Sequence, residues 1–227
     1  MAVVSGGLTA AEFRDLAASF GDYIDPLSGG APARNDGAPT GALLRPYAQA
    51  AMASGKPLLL SKGVWDLSDW TTLDTTGALR IIGGGASRDD VVVRGAGDRS
   101  GVGINALHSL SLENLTLQDW NKPWRLTPGS QTADIDLVRL NRIYFKDCIY
   151  WGYLQHNGVA SNQRLSAVEM DWIDGDCAGI ADEAQTWGMW LYGQIGRGVF
   201  DHIYGRDLNG TGLWVGAEDK AANLRPS

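Results

Sequence analysis

The sequence predicts an all-β fold: a right-handed parallel β-helix with a short N-terminal α-helical cap. Three observations carry that expectation. Four segments in the second half repeat one apolar template, no helical pattern of any length separates them, and 30 of the 227 residues are glycine. Abundant glycine means many tight turns, hence many short strands. Strand-and-turn units recurring at such a period stack into a solenoid.

Taken in chain order, TAAEFRDLAASF (9–20) has a threonine cap and apolar residues at helical spacing, which predicts a short amphipathic helix. GALLRPYAQAAMASGK (41–56) predicts another, with Pro46 limiting how early it starts. KPLLLSKGVWDL (56–67) reads as a buried strand, a turn at Ser61–Gly63 and a second strand. A helix followed by strands closes the lower end of a β-helix, which otherwise exposes unpaired backbone. Residues 1–55 are therefore the cap and 56–227 the coils, with LRIIGGG (79–85) and VVVRGAG (91–97) as early coils in looser register.

The four template segments are LENLTLQD (112–119), LNRIYFKD (140–147), AVEMDWID (167–174) and FDHIYGRD (200–207). Their terminal aspartates, Asp119, Asp147, Asp174 and Asp207, are spaced 28, 27 and 33 residues apart. Gly152, Gly179 and Gly212 each follow such an aspartate by five residues, and Trp124 holds that place in the first segment. A second short strand then falls at GYL, GI or GLWV. Alternation at the segment ends is the period of a strand with one buried face. It sets inward columns Leu115/Ile143/Met170/Ile203 and Leu117/Phe145/Trp172/Gly205, with Trp172 over the absent side chain of Gly205. Cys148 and Cys177 read as isolated core thiols, with a disulfide as the alternative.

The formal charge of −7 and a pI near 4.9 argue against a nucleic-acid partner. Apolar runs such as PLLL are far too short to insert in a membrane. The segment MAVVSGGLTAAEF lacks the charged start and continuous apolar stretch of a classical signal peptide. IIGGGASRDD lacks the Gly-Lys-Ser/Thr ending of a phosphate-binding loop, so it reads as a coil turn and no cofactor is expected.

The stretch NDGAPTGALLRPYAQAAMASGKPLLLSKGVWDL (35–67) resembles the opening of pectate-lyase-like right-handed β-helix proteins, phage tailspikes among them. Asp36–Gly37, the alanines of 48–53 and Gly63–Val64–Trp65 occupy the family's Asp-Gly turn, Ala-rich helix and strand–Gly–aromatic segment. APTG stands where the family often has a second acidic pair, and no catalytic motif carries over. The resemblance implies a homotrimer on a virion tail, or an extracellular setting, that recognises a bacterial surface polysaccharide.

Outward positions of successive coils form three further columns: Asn114/Arg142/Glu169/His202, Thr116/Tyr144/Asp171/Tyr204 and Gln118/Lys146/Ile173/Arg206. Glu169 and Asp171, on one face, are the candidate catalytic pair for acid–base work on a glycosidic bond. Arg142, Tyr144, Lys146, His202, Tyr204 and Arg206 would hold the sugar, with Trp151 and Trp214 as stacking surfaces. The same ladders suit cross-strand charge pairs or a trimer wall equally well, which keeps a non-enzymatic structural or adaptor module open. A uronate lyase would instead use Lys146 or Arg206 as base, with calcium. Asp174 reads as an inward turn residue, and parity separates Asp171 from Asp174 and Asp176, so no metal site is expected.

Overall fold

The computed structural model describes residues 23–29, 39–96, 98–99, 101–126, 135–155, 165–180, 186–192, 195–210 and 212–216. The segment 9–20 and the Asp36–Gly37 turn lie outside them. Among the described residues the chain forms a parallel β-solenoid with one α-helix, α1 (Gly41–Ser54), on the N-terminal side of the strands. The first sheet contains β1 (Leu58–Leu60), β2 (Gly63–Asp66), β4 (Leu79–Gly83), β5 (Val91–Arg94), β7 (Leu110–Gln118), β9 (Ile135–Lys146), β11 (Leu165–Asp176) and β13 (Ile195–Arg206). The second contains β3 (Leu73–Asp74), β6 (Val102–Asn105), β8 (Lys122–Leu126), β10 (Tyr150–Gln155), β12 (Trp187–Tyr192) and β14 (Leu213–Gly216). Every paired neighbour is parallel.

Pro46 does not set the start of α1. The carboxylate of Asp69 accepts from the backbone N–H groups of Gly41 and Ala42, which fixes the first turn ahead of the proline. Pro46 lies on the exposed face, while Leu44, Ala48, Ala51 and Met52 face the solenoid core at helical spacing. Gly55 ends the helix in the left-handed region at φ 68°, its N–H donating to the Ala51 carbonyl. Ile24 pairs with Leu58 and so covers the edge of β1.

The long strands are bent. Asn114, Arg142, Trp172 and His202 all have φ between 48° and 56°, and the register skips each of them. They form a column of left-handed corners at which β7, β9, β11 and β13 turn from one leg to the next. Asp119, Asp147 and Asp207 form a second such column, at φ 51° to 59°. This accounts for the recurring aspartate: Asx side chains tolerate left-handed backbone better than other non-glycine residues. The Asp147 carboxylate also accepts the Gly179 N–H across one coil, at 2.7 Å.

The third coil corrects the sequence reading. Met170 pairs with Leu140, Ile173 with Ile143 and Gly175 with Phe145, three residues away from the template alignment. The inward columns are therefore Leu115/Ile143/Ile173/Ile203 and Leu117/Phe145/Gly175/Gly205. Trp172 points outward from its corner, and Asp174 is an outward partner of Tyr144 and Tyr204. Cys177 takes the aspartate's place, its N–H bonded to the Arg206 carbonyl. The expected large-over-glycine packing exists with a different tryptophan. Trp151 is buried against Phe145, rings 5.7 Å apart and 2° from parallel, in space that a Cβ on Gly175 would enter at 2.0 Å.

GI at 179–180 lies in a turn, and the second-sheet strand of that coil is β12 instead. Cys148 and Cys177 are free and buried, as isolated core thiols should be. Burial pushes both thiols up from their ordinary value.

Candidate functional site

Two arginines from inserted turns brace the corners. Arg88, from the 3-10 turn Arg88–Asp90, donates to the carbonyls of Ile143 and Trp172 at 3.3 and 3.1 Å, pairs with Asp174 and lies 5.6 Å from the Tyr144 ring. Arg99 donates to the Asp147 and Gly179 carbonyls, both at 3.0 Å. Two of these carbonyls, Trp172 and Asp147, belong to left-handed corner residues, and the guanidinium groups supply donors to them. The left-handed Trp172 corner is held from outside.

The exposed side chains nearest that corner form the candidate site. The Trp172 and His202 rings stack with centroids 4.2 Å apart and planes 4° from parallel, and each is about half exposed, Trp172 at 54%. Asp171 and Asp201 face each other in register. Like charges directly opposite repel, and the His202 Nδ1 sits between them, 3.3 Å from Asp171 Oδ1 and 3.1 Å from Asp201 Oδ1. Their ligand atoms lie within 4.8 Å of one another, a spacing able to hold a metal ion. Tyr204, 59% exposed, stands two residues further along β13. Non-glycine residues in left-handed backbone cost of order 1–2 kcal/mol each, and Trp and Arg have no local compensation for it.

Along the same column toward the N-terminal end, Asn114 and Arg142 border a groove of 200 Å³ together with Glu113 and Asn141. Asn114 donates to the Gly83 and Gly85 carbonyls at 3.0 and 2.9 Å. Its Oδ1 is buried without a hydrogen-bond partner among the described residues. Arg142 is exposed and has no ionic partner among the described residues.

The candidates from sequence are thus partly regrouped. Arg142 and His202 flank Trp172, not Glu169; Tyr144 and Tyr204 flank Asp174, not Asp171; and Lys146 and Arg206 flank Asp176, not Ile173. Glu169 lies two residues before Asp171 on β11, bonded at 2.5 Å to Arg139 and also to Arg197. The hydrogen bond from Arg139, against a smaller effect of burial and with the charge of Arg197 added, holds the Glu169 carboxyl below its usual range. Arg206 pairs with Asp176 at 2.6 Å, and that charge raises its already high pKa. Trp151 is 1% exposed and cannot offer a face to a ligand. Trp214 pairs with Trp190 through its backbone, and its side chain lies outside the described residues. Trp172 and Asp201, absent from the sequence candidates, are the residues the register correction adds.

Comparison with family models, with curated proteins and with solved structures returned no match. No helix among the described residues is long and apolar enough to cross a membrane.

Proposed function

We propose that this chain is a tailspike-type recognition module that binds a bacterial surface polysaccharide along the outer corner of its solenoid, on a phage tail or similar particle. The observation that carries the reading is the Trp172–His202 stack with Asp171 and Asp201 at its rim. A sugar ring offers apolar C–H groups to an aromatic surface and hydroxyls to acceptors beside it. Sites of this kind pair aromatic side chains with a few placed polar groups. Arg142, Asn141 and Asn114 continue the track along the solenoid axis, the direction an extended chain would follow.

Recognition without cleavage is the form the carboxylates favour. A general acid must carry a proton near the working pH, and Glu169 is held ionised between two arginines. Arg206, held charged by Asp176, is no better as a lyase base.

The test is electrophoresis through gels containing O-antigen or capsular polysaccharides, with reducing ends and unsaturated-uronate absorbance followed in parallel. At least one polysaccharide should retard the protein without either signal. New reducing ends alone would mean hydrolysis, and reducing ends together with absorbance would mean β-elimination; either overturns the binding-only form. A trimer in solution that no polysaccharide retards would favour the structural or adaptor module instead.

A further inference from the structure

The outer face of the second sheet carries another strip of side chains, remote in register from the corner. Tyr153 lies opposite Arg125 of β8 on one side and Trp190 of β12 on the other, and Tyr150 lies opposite Trp187. Within each coil the rings meet edge to face: Tyr150 and Tyr153 at 5.4 Å and 79°, Trp187 and Trp190 at 5.2 Å and 81°. Between coils they stack at 6.4 Å, with planes 8° and 22° apart. All four are partly exposed. The arrangement comes from two related stretches, YWGY (150–153) and WGMW (187–190), each with an aromatic residue at both ends.

The strip begins with two cations. Lys122 Nζ lies 4.5 Å from the Tyr150 ring and 4.9 Å from the Tyr153 ring, and bonds to Asn121 Oδ1. Arg125 Nε is buried without a hydrogen-bond partner among the described residues. Neither has a carboxylate partner among the described residues. Burial, with the nearby Arg125 charge, lowers the Lys122 pKa, the mark of a cation that has lost part of its hydration.

We infer that this strip is a second binding surface, for an anionic segment of an extended glycan, with sugar rings against Tyr150, Tyr153, Trp187 and Trp190 and a carboxylate or sulfate at Lys122 and Arg125. The inference rests on the polysaccharide reading above and adds a site and a ligand charge to it. A dehydrated, unpaired cation gains more from an arriving anion than a solvated one. Six side chains in two adjacent rows of three across three coils, with no aliphatic residue among them, match a narrow glycan segment better than the broad apolar centre of a protein interface. The chain's net charge of −7 repels anionic polymers in general, so their retention requires a local site.

The experiment measures retention and tryptophan fluorescence at physiological salt with hyaluronan, dextran sulfate and uncharged dextran. Hyaluronan or dextran sulfate should bind and dextran should not, and which of the two binds separates carboxylate from sulfate recognition. Arg125→Gln and Trp190→Ala should each weaken binding about tenfold, the scale of one charge-assisted contact or one stacked ring. Lys62→Gln removes one charge at the exposed β1–β2 turn and should leave binding unchanged. Unfolding midpoints establish that each variant is folded. No retention of either anionic polymer, or equal retention by Arg125→Gln, overturns the inference. So does a concentration-dependent oligomer that Trp190→Ala abolishes, since the strip would then join copies of the chain. Loss of anionic binding while neutral surface polysaccharides still bind would overturn the strip alone. The reverse pattern would overturn the corner site alone.

Discussion

The Trp172 indole lies against the His202 imidazole at 4.2 Å between centroids, and both residues occupy left-handed corners of adjacent coils. Two large side chains in that backbone region are unusual, because Cβ crowds the following carbonyl. The corner turns them out of the core and onto a shared exposed shelf.

Relief of that crowding is measurable. Trp172→Gly and Trp172→Ala both remove the indole, but only glycine takes the left-handed conformation without penalty. The glycine variant should be the more stable by about 1 kcal/mol in urea unfolding. Equal stability would mean that the corner is not under strain.

The core makes a second demand. Trp151→Ala should cost about 3–5 kcal/mol, the usual range for a buried tryptophan. Gly175→Val should be comparably damaging, since its Cβ would lie 2.0 Å from the Trp151 ring. If the two share one space, the double variant will be less destabilised than the sum of the singles. Additivity would separate the two sites.

Glu169 gives a pH signature. Its folded-state pKa lies below the ordinary glutamate value of 4.5, so it stabilises the fold above that value, and the contribution is lost as pH falls through the lower folded value. Glu169→Gln should therefore lose stability at neutral pH and show a shallower decline below pH 4.5 in denaturant titrations. An identical slope in the variant would mean that the Arg139–Glu169–Arg197 ladder does not form.

The solenoid itself was legible because leucine and isoleucine recur at Leu115, Ile143 and Ile203, with left-handed aspartates closing the same units. The third coil misled because it has Gly175 and Cys177 where the two coils before it have an inward apolar residue, Leu117 or Phe145, and an aspartate, Asp119 or Asp147. Ala167, Met170, Trp172 and Asp174 imitated the template three residues early. The uneven spacings of 27 and 33 residues were the available signal: the true offsets on either side of that coil are both 30, as in Ile143↔Ile173↔Ile203. What stayed hidden was the corner itself. A left-handed residue breaks the two-residue alternation, so parity carried across it assigns side chains to the wrong face.

The most direct test of the account is the affinity of Trp172→Ala and His202→Ala for a polysaccharide that retards the wild-type chain, measured by titration calorimetry. The account predicts that each substitution weakens binding about tenfold, the scale of one aromatic stacking contact, while the unfolding midpoint shows the fold retained. Wild-type affinity in both variants would contradict it and move recognition away from the corner.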